Sequence, residues 1–299
     1  MIDIIIPAYN AHKTIKKTLF SIYMQKNLEN LNVYIVNDAS DTDYSDEVNI
    51  FSKVMNIKEL KLDKNKGSGY ARQYGVDNSS SEYIVFIDSD DAFIGDDALI
   101  KMQEVIEKYD MVFAKIFFRE KNSIEMHEGC LHGKMYRRSI INKFNIRFNE
   151  LRSHEDNAYN QLYMLCCDNI FYLDDIVYDY INRENSITNT QDVSYSISNY
   201  IDSFTWLFNE IEKRKIDKYH EIAEVILVAI YYCYFNYLMN REKLNLIFSK
   251  MGYLKKMYKK YIKYLDNDEI VNIYKYFDYP VIPIMSVNEF INKIKLDLE

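Results

Sequence analysis

The sequence predicts an α/β fold, in which a Rossmann-like, mostly parallel central sheet flanked by helices is followed by a separate helical C-terminal domain. Three observations predict it. In the first half, short apolar, β-branched runs alternate with amphipathic stretches, the pattern expected when helices cross over between parallel strands. Where those runs stop, polar residues cluster, as at the carboxyl ends of strands in ligand-binding open sheets. Past residue 190 the composition shifts to a helical periodicity rich in Ile, Tyr, Phe and Lys, without an alternating strand pattern.

Strands are expected at Ile2–Pro7, Asn32–Asn37, Ile57–Leu62 and Glu82–Ile87. Between them lie helices at Lys13–Gln25, Tyr44–Met55 and Gly67–Asn78, each long enough for a right-handed crossover. Further strands are expected at Met111–Arg119 and Ile170–Leu173, and further helices at Lys134–Lys143 and His154–Leu165. Asp192–Ser198 reads as a polar linker, dividing the chain into residues 1–190 and 191–299.

The bulk numbers exclude several classes. With 48% hydrophobic and 27% charged residues, the 299-residue chain has the composition of a globular protein and none of the bias of disorder. A net charge of -8 excludes general nucleic-acid binding, which depends on a basic surface. The four cysteines, Cys130, Cys166, Cys167 and Cys233, show no CxxC spacing, which fits a reducing cytoplasm. The N-terminus opens directly into the first strand and reads as no signal peptide. No run of about 18 uncharged apolar residues occurs, and in Ile222–Leu238 Glu224 and Asn236 interrupt the pattern.

Three motifs carry chemistry. The strand ending at Ile87 stops in Asp88-Ser89-Asp90-Asp91. Crowded carboxylates raise one another's pKa unless a cation or hydrogen bonds offset them, so the turn is a candidate for a hard divalent ion, or else a solvated strand end with Asp91 capping the next helix. Asn65-Lys66-Gly67-Ser68-Gly69-Tyr70-Ala71-Arg72 gathers glycines and positive charge at a helix N-terminus, where anions bind; the alternative is a flexible turn with a surface arginine. His154-Glu155-Asp156-Asn157 opens an amphipathic helix, either as dipole-favoured capping or as part of an active site.

In series, the segments IIIPAYN, VNDAS, NKGSGYARQYG, FIDSDD, GKMYRRSII and HEDNAYN resemble glycosyltransferase family 2, enzymes of the GT-A fold with nucleotide-sugar donors, over about Met1–Asn189. The resemblance implies that Pro7, Ala8 and Tyr9 hold the nucleobase and that Asp38 meets its edge. A carboxylate only accepts hydrogen bonds and uracil offers an N3–H, so Asp38 points to a UDP-sugar. Lys66, Gly67, Arg72, Asp88 and Ser89 complete the implied donor contacts. Asp90, with Asp88, would hold Mn2+ or Mg2+. Asp156 is the implied base of an inverting transfer to a hydroxyl acceptor, with Glu155 as its neighbour or alternative. Lys134 and Arg183 are candidates, by position, for stabilising the leaving diphosphate. Gln73 and His154 depart from the family's usual residues, and Tyr178–Ser186 resembles a segment that closes the donor pocket.

Two other readings use the same sheet, a nucleotidyltransferase releasing pyrophosphate and a non-catalytic nucleotide-sugar-binding module. The acceptor is expected to be a glycan, polymer or lipid-linked species. In the last third, Lys250–Leu265 interleaves lysines with tyrosines. It is either a peripheral contact with an anionic membrane or polymer, or a solvated lysine face beside an aromatic core face. The expected location is cytoplasmic, with peripheral attachment at the inner membrane face as an extension of that contact.

Overall fold

A computed structural model describes residues 1–181, 192–240, 249–276 and 287–298. The chain divides into two compact units, Met1–Thr190 and Gln191–Glu299.

The first unit is built on one nine-stranded sheet. Its elements, in chain order, are β1 (Ile2–Ala8), α1 (Ile15–Tyr23), β2 (Leu31–Asn37), α2 (Ser45–Phe51), β3 (Asn56–Lys61), α3 (Ser68–Asp77), β4 (Tyr83–Phe86), β5 (Ala92–Phe93), α4 (Ala98–Ile106), β6 (Met111–Phe118), β7 (Ser123–Glu125), β8 (Lys134–Arg137), α5 (Arg138–Phe144), α6 (Glu155–Cys166) and β9 (Ile170–Tyr180). The strand order is β3-β2-β1-β4-β8-β6-β9-β5, with β7 paired to β6.

Parallel pairing, expected for most of the sheet, holds across β3-β2-β1-β4. Beyond β4 the sheet is mixed, because β8 runs antiparallel to both β4 and β6 while β6 and β9 are parallel. Strand β1 lies at the centre of the parallel part, and its Ile2, Ile4, Ile5 and Ile6 are fully buried. Each such side chain contributes about 1.5–3 kcal/mol when removed from water, so this strand is a principal source of the unit's stability. The order 3-2-1-4 reverses direction between β1 and β4, the place where open sheets leave a crevice at their carboxyl ends.

Several elements differ from expectation. The helix expected at Lys134–Lys143 begins as strand β8 and becomes helical only at Arg138. Here sheet pairing on both sides overrides local propensity. Strand β9 continues past Leu173 to Tyr180. Its Asp174-Asp175 pair interrupts the apolar pattern but is accommodated by lysines, Lys115 on Asp174 and Lys101 on Asp175, beside a register shift against β6. Helix α2 is shorter than expected, and α4 adds an unexpected crossover helix with Leu99, Met102 and Ile106 in the core.

The second unit is helical, with α7 (Val193–Arg214), α8 (Tyr219–Met239), α9 (Gly252–Tyr261), α10 (Asn267–Tyr276) and α11 (Val287–Leu298). The expected linker at Asp192–Ser198 is instead the start of α7, with the Asp192 carboxylate accepting from Ser194 N at 2.8 Å. Helix α8 is long and apolar enough to cross a membrane by length and composition, despite Glu224 and Asn236, and half of its apolar window is buried. In α9, Leu254, Met257, Tyr258 and Tyr261 face the core, while Lys260 pairs with Glu212 at 2.8 Å; just before the helix, Lys250 donates to Ser198 Oγ at 2.8 Å. The four cysteines are free thiols.

Candidate active site

The carboxyl ends of β1, β2 and β4 meet the first turns of α3 and α6. At β2, Asp38 N donates to Ala8 O at 2.8 Å and Asn37 Oδ1 accepts from Ser40 N at 2.8 Å, so the two strand ends turn together. The Asp38 carboxylate is buried, and its two oxygens accept from Lys66 N at 2.7 Å and Gly67 N at 2.8 Å. Burial raises its pKa, against the pull of those two amides. Asp38 therefore fixes the approach to α3, and each oxygen keeps a second lone pair for a ligand donor. Gly67 has φ +94°, which favours glycine, in the bend that points both amides at Asp38. Pro7 and Ala8 are buried, the Tyr9 ring is 53% exposed, and Lys66 Nζ lies 3.8 Å from the centroid of the Tyr70 ring.

Arg72, one turn into α3, is 5% exposed. Its Nη2 donates to Asp88 Oδ1 at 2.7 Å and its Nη1 to Glu155 Oε1 at 3.1 Å. The same Glu155 oxygen accepts from Ser68 Oγ at 2.6 Å. Gly69 makes room for this: a Cβ there would lie 2.4 Å from Glu155 Cγ. Burial and the neighbouring Asp156 charge raise the Glu155 pKa, with Arg72 and Ser68 opposing them. Asp156 begins the same helical turn, partly exposed, with Oδ1 accepting from Asn157 N at 2.8 Å. Its charge acts on Arg72, Lys134 and Glu155. His154, immediately before, holds φ +60° as the residue preceding α6.

In the acidic turn, burial would raise the Asp88 pKa, but the Arg72 and His132 charges outweigh it and hold the carboxyl well below the usual range. His132 Nε2 lies 3.2 Å from Asp88 Oδ2, and its ring stacks on Tyr178 with centroids 4.7 Å apart. Asp91 caps no helix, since the next one starts at Ala98. It is buried and accepts from the Tyr178 hydroxyl at 2.7 Å and from Ile181 N at 2.8 Å, fastening the acidic turn to the end of β9. Burial pushes its pKa up to about 7. Asp88, Asp91 and His132 each offer a ligand atom within 4.8 Å of the other two. Two carboxylates and an imidazole form a donor set that suits Mn2+ well. Asp90 lies outside that trio and is partly exposed, and Ser89 is buried beside it.

Lys134 is fully buried. Its ammonium donates to His127 O at 2.7 Å and Cys130 O at 2.6 Å and sits 3.9 Å from the centroid of Phe113, which ties down the segment leading to His132. Burial lowers its pKa to about 8. The candidate Arg183, and Tyr178–Ser186 beyond Ile181, lie outside the described residues.

The fold thus brings together Asp38, Lys66 and Gly67 in one cluster, and Arg72, Asp88, Glu155 and Asp156 in a second. His132 was missed from sequence; its signal is a histidine between Gly129 and Gly133, two residues before the start of the mostly buried strand β8.

The model of the family described as glycosyl transferase family 2 matches residues 3–179, more than half of the chain. Glycosyltransferase GlyA of Streptococcus pneumoniae serotype 4 is 27% identical over 221 residues, covering 62% of this chain and 31% of that protein. The teichoic acid poly(glycerol phosphate) polymerase of Staphylococcus epidermidis is 26% identical over 237 residues, covering 68% of this chain and 32% of its own length. The chain therefore spans about a third of these curated relatives. Among solved structures, S. aureus TarS 1-349 in complex with UDP-GlcNAc superposes with a TM-score of 0.69 at 19% identity, covering 91% of this chain and 83% of that one.

Proposed function

The chain belongs to glycosyltransferase family 2, with its GT-A fold and a helical C-terminal region, and from that premise we propose that it moves a sugar from a UDP-sugar, with inversion, to a hydroxyl of a cell-envelope glycan, polymer or lipid-linked acceptor. The observation that carries the proposal is the Arg72 guanidinium, which joins the acidic turn to the Glu155-Asp156 helix start and so makes one site of two motifs 64 residues apart, counting from Asp91 to Glu155.

In this reading Pro7, Ala8 and Tyr9 border the uracil and Asp38 accepts its N3–H. Lys66, Gly67 and Ser89 flank the rest of the nucleotide. Asp156 takes the proton from the acceptor hydroxyl while that oxygen bonds to the anomeric carbon. The bond from that carbon to the diphosphate oxygen breaks with its electron pair, and UDP leaves. Asp90 and Asp88, with His132 beside Asp88, would hold Mn2+ or Mg2+, and a bound cation supplies Lewis-acid stabilisation of the diphosphate charge. A structural neighbour crystallised with UDP-GlcNAc supports the donor class, and a relative named as a teichoic acid polymerase supports an envelope acceptor. Free cysteines fit a cytoplasmic location, and the exposed Lys256, Lys259 and Lys263 offer the peripheral contact with an anionic inner membrane face.

The test is a donor screen with Mn2+ and Mg2+ across UDP-, GDP- and dTDP-sugars, measuring released nucleoside diphosphate. Release from a UDP-sugar is expected. No release from any donor refutes the proposal, and release of pyrophosphate would favour a nucleotidyltransferase.

A further inference from the structure

We propose that Arg72 is a positioning residue that couples the acidic turn to the base-bearing helix, with Glu155 as its anchor and not as a second base. The inference rests on the reading of Asp156 as the base. A guanidinium offers its donors in a rigid fork, normally matched to one carboxylate or phosphate. Here the fork is split between two elements: Nη2 on Asp88 at the end of β4 and Nη1 on Glu155 at the start of α6. Both side chains at the α6 end are enclosed, Arg72 at 5% and Glu155 at 4% exposure. Nε, buried as well, has no hydrogen-bond partner. Turning the fork away from α6 would leave the buried Glu155 carboxylate without its cation, so the hold on Glu155 is the part of Arg72 that a ligand cannot displace cheaply.

Glu155 is anchored in turn through Oε1. One oxygen takes both the Ser68 hydroxyl and Arg72, and its methylene occupies the space left by the missing side chain of Gly69. Ser68, Gly69 and Arg72 thus form a socket on the first turn of α3, and Glu155 is the plug. Asp156, the next residue, is carried by that plug. A ligand that engages Asp88 therefore acts on the base through a single side chain.

Hydrogen exchange with UDP and Mn2+ as the probe, combined with steady-state kinetics using the UDP-sugar found in the donor screen, tests this. In the wild type, UDP should slow exchange at residues 150–157. Arg72→Lys keeps the charge and removes the fork; it should bind UDP within about threefold of wild type, lose that protection, and lose about 100-fold in kcat with donor KM nearly unchanged, as expected for a misplaced reacting group. Should that variant fail to fold, Ser68→Ala loosens the plug alone and should lower kcat by about tenfold at constant KM. An Arg72→Lys enzyme whose UDP affinity falls tenfold or more with kcat intact would make Arg72 a nucleotide contact and overturn the coupling, as would a Ser68→Ala enzyme with wild-type kcat. A wild type that binds none of UDP, GDP and dTDP removes the glycosyl-transfer reading itself, and the coupling with it.

Discussion

Gly69→Ala tests the seat of Glu155 on α3 without touching any titratable group. The added methyl would lie 2.4 Å from Glu155 Cγ, 3.2 Å from its Cβ and 3.5 Å from Asn149 O, so the glutamate must withdraw. Withdrawal forfeits the Ser68 bond at 2.6 Å and the Arg72 bond at 3.1 Å. Each hydrogen bond to a charged group contributes about 1.5–3 kcal/mol, a total of about 3–6 kcal/mol. Alanine in a helix returns about 1 kcal/mol relative to glycine. Arg72 keeps its 2.7 Å contact with Asp88, so no stranded cation adds to the cost. The net expectation is a destabilisation of about 2–5 kcal/mol, or a fall in Tm of roughly 5–15 °C for a unit of this size. Thermal denaturation followed by circular dichroism measures it. A Tm within about 1 °C of wild type would show that Glu155 moves aside freely and that the socket is no constraint.

Asp156→Asn should lower transfer by about 100- to 10,000-fold while UDP binding by calorimetry stays within about threefold; full transfer would mean that another group takes the proton. Asp90→Asn and His132→Ala should each raise the Mn2+ concentration needed for half-maximal activity by about tenfold, and unchanged metal titrations would place the cation elsewhere. Asp3 is fully buried and accepts from Ser81 N at 2.6 Å, Asn32 Nδ2 at 3.0 Å and Arg138 Nη2 at 2.9 Å. Burial works to raise its pKa, but these partners hold it below the ordinary 3.8. Its contribution is therefore complete above the unfolded value and is lost as pH falls through the lower folded value. Asp3→Asn should cost about 3–5 kcal/mol at neutral pH and flatten the loss of stability below about pH 4, and a wild-type acid profile in the variant would contradict this. Finally, the protein should co-sediment with anionic liposomes at low salt and release at high salt; failure to sediment leaves the lysine face of α9 as a solvated surface.

The parallel half of the sheet was legible because β1, β2 and β4 are apolar runs that end abruptly in Asn10, Asp38 and Asp88, and physics offers few structures to such a pattern. Strand β8 was not, since Lys134 looks like the start of a surface helix until its ammonium is seen bonded to two main-chain carbonyls, a partnership only the fold creates. The pair Asp174-Asp175 hid the second half of β9 for the same reason: the lysines that accommodate it come from α4 and β6. At the site, residue types and their order announced the two acidic motifs. What the order could not convey is their division of labour. Asp91 turns out to be a fastener for β9, Asp38 holds a loop by its amides, and Arg72 faces inward. Each of these depends on a contact between residues 16 to 90 positions apart.

Helix α3 carries a consequence for how this protein can vary. Of its ten residues, Gly69, Ala71, Arg72, Gln73, Gly75 and Val76 are buried. Gly69 admits Glu155, Arg72 spans two carboxylates, Gln73 Oε1 accepts from Phe148 N at 3.0 Å, and Gly75 lets Ile5 approach so closely that a Cβ would sit 2.5 Å from it. Tyr70 and Tyr74 are the positions left for drift, whereas Asp77 accepts from Gln73 Nε2 at 2.9 Å and pairs with Arg147 at 2.7 Å. Substitutions elsewhere on the helix would survive only alongside compensating changes in β1 or α6. Grafting α3 piecemeal from a relative should therefore fail where exchanging it together with the start of α6 succeeds.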